Sequence, residues 1–165
     1  MATPAFTDEV RIVAGTADDL DEVMGVMDAA FGRRFGEAWT RSQLSGILPM
    51  TGVSLMLARD SRTGSAIGFS LFRIVADEAE LLLIAVLPDR HRRGIGNRLL
   101  DQFIENAREE GVRRVHLEVR DGNPAVALYD AAGFSPVGRR RNYYQSQSGK
   151  RFDAITLACD LDVGS

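Results

Sequence analysis

The stretch Leu81–Leu100, LLLIAVLPDRHRRGIGNRLL, gathers the residue types best suited to holding a phosphorylated molecule. An apolar run closed by Pro88 leads into a basic, glycine-containing loop, and a helical apolar spacing begins directly after it. Where a helix starts, its first backbone N–H groups have no partner within the helix, and the helix dipole is positive. Gly94 and Gly96 carry no side chains to keep a phosphate off those N–H groups, while Arg90, Arg92, Arg93 and Arg98 add positive charge. Together these make a diphosphate cradle. A plain strand–loop–helix connection with a basic solvent face would use the same residues, so the loop alone leaves both readings open. Other phosphate loops fit poorly. A Walker A loop lacks its Gly-Lys-Ser/Thr, and G-x-G-x-x-G is broken by Leu99 at the third glycine position.

A second cluster of chemistry-bearing residues follows. Val115, Leu117 and Val119 alternate with His116, Glu118 and Arg120, the pattern of a strand with one apolar and one polar face. On residue types alone, Glu118 is a charge on that polar face, and His116 shares it. The single cysteine, Cys159, alternates with Ile155 and Leu157 and reads as core. With one cysteine and only His91 and His116, neither an internal disulfide nor a structural zinc site is expected.

The elements that must position these groups are legible from spacing. Val10–Ala14 alternates as a strand. Thr16 with Asp19 has the form of a helix cap, followed by Leu20, Val23, Met24, Met27 and Phe31 at helical spacing. Gly32–Trp39 is irregular, and Thr40 with Gln43 opens a short helix over Ser42–Leu48. Val53–Arg59 and Ala66–Ala76 read as a hairpin across Asp60–Gly64, and Leu81–Leu87 as a central strand buried on both faces. Leu99, Leu100, Phe103, Ile104 and Ala107 mark an amphipathic helix ending at Gly111. Pro124–Ala132 is a short helix closed by Gly133; Phe134–Arg141 and Phe152–Asp160 are the last strands, joined by a polar loop carrying Tyr143 and Tyr144. The order β-α-α-β-β-β-α-β-α-β-β gives a mixed sheet with helices on its faces.

Composition narrows the setting. A length of 165 residues suits one domain spanning 1–165. With 45% hydrophobic and 26% charged residues, collagen-like, disordered and disulfide-framework classes are excluded. A formal charge of −3 gives no electrostatic ground to expect nucleic acid or an anionic membrane as partner. No apolar run reaches the ~20 residues of a membrane span, and Met1–Val10 is polar and acidic rather than a secretory signal, so a soluble cytoplasmic protein is expected.

Ile84-Ala85-Val86-Leu87-Pro88 followed by His91-Arg92-Arg93-Gly94-Ile95-Gly96 resembles the signature of the GNAT family of acetyl-CoA-dependent N-acetyltransferases. That signature is a strand ending Ala-Val-x-Pro and then R/Q-x-x-G-x-G/A at a helix start; His91 stands where Arg or Gln is usual. Leu117–Phe134, Arg139–Tyr144 and the Phe152-Asp153-Ala154 strand are similar to the RimI branch, the ribosomal-protein-alanine N-acetyltransferases and their N-terminal acetyltransferase relatives. The match is close over Ala66–Leu161 and looser over Phe31–Leu44, where Trp39-Thr40 with Leu44 is similar to the family's Phe-Pro-Trp-Ser segment but Gly32–Ala38 is longer than expected.

The resemblance implies a GNAT-like α/β fold: a mixed, mostly antiparallel sheet of six to seven strands with about four helices. It implies that the backbone of Ile84, Ala85 and Val86 pairs with the pantetheine arm of acetyl-CoA. The N–H groups of Arg92, Arg93, Gly94, Ile95, Gly96 and Asn97 would hold the pyrophosphate, and Asn123 would bond the cofactor near its thioester. Glu118 would be the general base, Tyr129 the general acid, and Tyr143 and Tyr144 a clamp on the acceptor peptide. No metal is implied.

Such a reaction suits these residues. An α-amino group is roughly a tenth neutral at pH 7, against about 0.04% for a lysine, so one carboxylate suffices for the easier amine. A tyrosine hydroxyl can protonate a departing thiolate, and an N–H near Val86 can polarise the carbonyl. Each role has a rival: Glu80 as base, Asn123 as a mere helix cap, Tyr129 as core, and Tyr143 and Tyr144 as loop aromatics. The acceptor is expected to be a protein N-terminus, with a ribosomal protein as one candidate; a small-molecule amine and a non-catalytic acetyl-CoA-binding module are the alternatives. The acyl-chain preference and the oligomeric state stay open.

Overall fold

The computed structural model describes residues 9–32 and 34–162. Most of the polar N-terminal segment, and Arg33 of the glycine-bounded loop, lie outside the described residues. β1 (Val10–Ala14) leads into a turn capped by Thr16, whose side chain and that of Asp19 reciprocally satisfy the exposed N–H groups. α1 (Leu20–Phe31) then buries Leu20, Val23, Val26 and Met27. The second capping box, Thr40 with Gln43, starts α2 (Arg41–Ile47). β2 (Val53–Asp60) and β3 (Ala66–Val75) form the expected antiparallel hairpin.

β4 (Glu78–Val86) begins three residues before the apolar run, and its burial alternates rather than covering both faces. The alternation also changes side. Leu71 pairs with Leu83 and Phe72 with Leu81, which leaves Leu82 as an extra residue in a β-bulge. Ala79 and Leu81 consequently pack with α3 (Ile95–Glu109), while Leu83 and Ala85 pack with α1 and α2. A continuous apolar run therefore serves two cores in succession, which is why it looked doubly buried in sequence.

β5 (Arg114–Arg120), α4 (Val126–Ala131), β6 (Ser135–Gln145) and β7 (Arg151–Asp160) complete a seven-stranded sheet of order β1-β2-β3-β4-β5-β7-β6. All neighbours are antiparallel except β4 and β5. α4 is shorter than the Pro124–Ala132 helix expected from sequence, because Asn123, Pro124 and Ala125 form the turn that enters it. β6 runs four residues past Arg141, so Tyr143 and Tyr144 stand on a strand and not in a loop. A register shift between Arg140 and Tyr144 lets that strand bend while staying paired with β7. Among the described residues no helix is long and apolar enough to cross a membrane.

Candidate active site

The one parallel pair is also the shortest. β4 and β5 are paired only from Ala79–Leu81 to Val115–Leu117, and both strands continue beyond that point. Past Leu81 and Leu117 they part, leaving a wedge between Leu82–Val86 on one side and Glu118–Arg120 on the other. No strand of the described residues fills it. β4 still pairs with β3 along its far edge and β5 with β7, so each wall of the wedge is held from behind. An unpaired strand edge presents N–H and C=O groups to whatever extended ligand enters.

The β4 wall ends in the glycine loop. Arg92 and Gly94 take left-handed backbone conformations, φ +65° and +75°, and Gly94 caps α3. The first intrahelical bond runs from the Arg98 N–H to the Gly94 carbonyl at 3.1 Å, which leaves the Ile95, Gly96 and Asn97 N–H groups without helical acceptors. A Cβ at Gly94 would meet nothing within 4 Å, so the cap faces open space. Two of the four arginines do not face it. Arg90 is bound to the buried Asp60 at 2.9 Å, and Arg98 donates to the Val10 carbonyl at 2.6 Å. They pin the loop and helix to β2 and β1; Arg92 and Arg93 both lie at the surface of the loop. His91 donates through Nε2 to the Val86 carbonyl at 3.0 Å, a contact that ties the loop back to the end of β4.

The β5 wall carries the titratable groups. The Glu118 carboxylate, with a side chain 16% exposed, is met by the Arg140 guanidinium from β6 at 2.6 Å. Glu80 and His116 lie side by side across the paired part of the two strands, with 3.8 Å between Oε2 and Nε2. Burial lifts the Glu80 carboxyl above the ordinary carboxylate range; His116 opposes that shift and the nearby Glu118 adds to it. Tyr129 is buried in the core beneath α4, against Phe134, with ring centroids 5.9 Å apart. Burial pushes its hydroxyl well above the usual phenol range, and the neighbouring Tyr144 and Glu37 add to the shift. Tyr144 is raised in the same way, first by burial and then by Glu37, Tyr143 and Glu118. Both hydroxyls thus keep their protons at neutral pH, and each can donate one. Tyr143 lies edge-on to Tyr144 at 5.0 Å and is 51% exposed.

Arg120 departs most from the sequence reading. It was placed on a polar strand face, yet it is buried, with its Nε on Glu37 at 3.0 Å and its guanidinium 3.6 Å from the centre of the Phe35 ring. Asn123 does cap the α4 turn, through Oδ1 accepting the Ala125 N–H at 2.8 Å, and its Nδ2 donates to Glu37 at 2.6 Å. The fold thus gathers Glu118, Asn123, Tyr129 and Tyr144 about the β5 wall of the wedge, while the residues from Arg92 to Asn97 follow the end of the β4 wall, where a Cβ on Gly96 would stand 3.4 Å from Leu128 of α4. Glu37, Phe35 and Arg140 went unnoticed in sequence. Glu37 reaches partners 83 and 86 positions away from inside an irregular loop, where no periodicity could announce it.

Comparison with known proteins shows the family and the fold. A family model described as the acetyltransferase (GNAT) family matches residues 20–134. The ribosomal protein bS18-alanine N-acetyltransferase of Haemophilus influenzae is 44% identical over 95 residues, 58% of this chain and 65% of that protein. The enzyme of the same description from Escherichia coli K12 is 39% identical over 104 residues, 62% of this chain and 70% of that one. The crystal structure of the Escherichia coli ribosomal-protein-S18-alanine N-acetyltransferase superposes with a TM-score of 0.83 at 30% identity, covering 94% of this chain and 96% of that chain.

Proposed function

From the premise that the chain belongs to the GNAT family of acetyltransferases, we propose that it transfers an acetyl group from acetyl-CoA to the α-amino group at a protein N-terminus. The wedge between β4 and β5 carries this reading, because an anion cradle follows its β4 wall and its β5 wall carries Glu118, with Tyr129 and Tyr144 both holding their protons nearby. The residues present fit the donor. The Ile84–Val86 edge suits an extended amide-bearing arm, and the N–H groups from Arg92 to Asn97 suit its diphosphate. When bound, acetyl-CoA supplies an acyl group activated as a thioester.

The chain's own groups supply the rest. Glu118, in contact with the Arg140 guanidinium, accepts the proton that the acceptor amine must lose. An N–H at the end of β4 polarises the carbonyl that is attacked. Tyr129, kept protonated by burial, gives its proton to the departing sulfur. Tyr143 and Tyr144, on the strand facing the opening, hold the acceptor backbone. The acceptor class follows the relatives: enzymes similar to this chain are described as ribosomal protein bS18-alanine N-acetyltransferases, and a peptide beginning with alanine is the expected substrate.

A small-molecule amine is the second reading, favoured by the longer segment after α1, whose Phe35 and Glu37 fill space beside the acceptor end. Turnover of a peptide beginning with alanine, set against the same sequence blocked at its terminus but containing lysine, separates the two. Transfer to the free terminus alone is expected. Turnover of neither peptide refutes the N-terminal reading. Glu118→Gln and Tyr129→Phe are each expected to lower kcat about a hundredfold, within the usual reach of acid–base groups. Full activity in both variants would refute their roles and direct attention to Glu80.

A further inference from the structure

A carboxylate from the segment after α1 is bound to the end of β5 and to the turn that follows it. Glu37 sits in the segment between α1 and α2, yet both its oxygens are taken by residues at the end of β5 and the turn after it. Oε1 accepts from Arg120 Nε at 3.0 Å and Oε2 from Asn123 Nδ2 at 2.6 Å. The pair with Arg120 is nearly enclosed, with 7% of the arginine side chain and 11% of the glutamate exposed. The segment that carries Glu37 has no slack. A Cβ on Gly36 would stand 2.1 Å from the Gln145 carbonyl oxygen, and Phe35 is clasped between Arg120 and Phe152, its ring 5.2 Å from the latter.

A carboxamide has two chemically different ends, and its neighbours decide which way it faces. Asn123 has its oxygen fixed by the Ala125 N–H, and only an acceptor can stand opposite its nitrogen. A carboxylate satisfies that requirement and the Arg120 donor at once. A glutamine would offer a single oxygen to two donors.

We propose that Glu37 is a positioning residue, which fixes the orientation of Asn123 and the seat of Arg120 and thereby presents the Asn123 amide to the acetyl donor. This rests on the donor-site reading given above. It assigns to the irregular segment after α1 a part in donor binding, although that segment borders the acceptor end.

The test uses the full chain and four variants: Glu37→Gln, Asn123→Ala, the double variant Glu37→Gln/Asn123→Ala, and the exchange variant Glu37→Gln/Asn123→Asp. Wild-type turnover tests the acetyltransferase reading separately, and CoA binding measured calorimetrically does not depend on turnover. With the hydrogen bond to Asn123 lost, Glu37→Gln is expected to weaken CoA binding and raise the KM for acetyl-CoA about tenfold, leaving the KM for the acceptor peptide within twofold. Asn123→Ala should match it, and the double variant should be no worse than Asn123→Ala alone, because both act through one contact. The exchange variant restores a donor–acceptor pair with its polarity reversed. It should recover the thermal midpoint lost in Glu37→Gln without recovering CoA affinity, and it keeps the test open should Glu37→Gln fold poorly. Wild-type CoA binding in Glu37→Gln, losses that multiply in the double variant, or an Asn123→Ala variant that binds CoA normally would each overturn the proposal, even in a chain that acetylates its peptide.

Discussion

Gly94 and Gly111 stand at opposite ends of α3 with almost the same backbone, φ +75° and +78°, and a Cβ on either would meet nothing within 4 Å. Alanine at either position should therefore do the same thing to the free protein. The left-handed conformation costs an L-residue about 1–2 kcal/mol. In a domain of this size, that lowers the thermal midpoint by about 2–8 °C. The two variants should separate only when acetyl-CoA is added. At a concentration a hundred times its Kd, a ligand stabilises the folded state by about 2.7 kcal/mol. On the proposed donor site, a methyl group at Gly94 would intrude where a diphosphate meets the helix N-terminus. A tenfold loss of affinity there would reduce that increment to about 1.4 kcal/mol. Scanning calorimetry with and without acetyl-CoA should thus show the ligand-induced rise roughly halved in Gly94→Ala and intact in Gly111→Ala. Equal full increments in both variants would refute the cradle, and equal reductions in both would show that the effect belongs to the helix as a whole.

Two further outcomes follow from particular side chains. Ser70 is fully buried in β3, and its hydroxyl finds no partner among the described residues. An unsatisfied buried hydroxyl is unfavourable by about 1 kcal/mol or more. Ser70→Ala should therefore raise the midpoint by about 2–4 °C, measured by thermal denaturation; a fall would mean that the hydroxyl is engaged. Glu80 has a carboxyl held above its ordinary value near 4.5, burial outweighing the attraction of His116. The folded state then binds more protons than the unfolded one, so stability falls as pH rises from the ordinary value through the raised one. Glu80→Gln should be more stable than the parent at neutral pH, with the gap closing below about pH 4.5; a constant gap across a pH series of denaturation curves would contradict the assignment.

The sequence exposed whatever was local or periodic. Both capping boxes, the apolar stripe of α3 and the hairpin of β2 and β3 follow from neighbours a few positions apart, and the structure repeats them. The glycine loop was readable for the same reason, since a helix start and its preceding strand are contiguous. What stayed hidden depends on distance along the chain. Nothing near Arg120 announces that Glu37 and Phe35 will enclose it, since an alternating strand pattern gives only the polar face on which it stands. The bulge at Leu82 was invisible because an unbroken run of leucines looks the same whichever face each one takes. Arg90 and Arg98 count as cradle cations by spacing, and only the fold reveals that Asp60 and the Val10 carbonyl had claimed them. The roles of Glu118 and Tyr129 rest on resemblance. The structure adds their surroundings: a guanidinium in contact with the first, and burial that holds the proton on the second.

The parting of β4 and β5 has a consequence for what the protein avoids. A bare strand edge on a protein's rim recruits other strands and invites aggregation. Here the bare edge faces inward, and β5 stands opposite as a second wall only a few residues from where the strands meet. A polypeptide entering such a notch would have to bring side chains on both of its faces past that wall, whereas a slender arm of amides and methylenes would not. The sheet can therefore leave part of its hydrogen bonding unfinished in its own middle, open to a ligand and closed to another copy of itself.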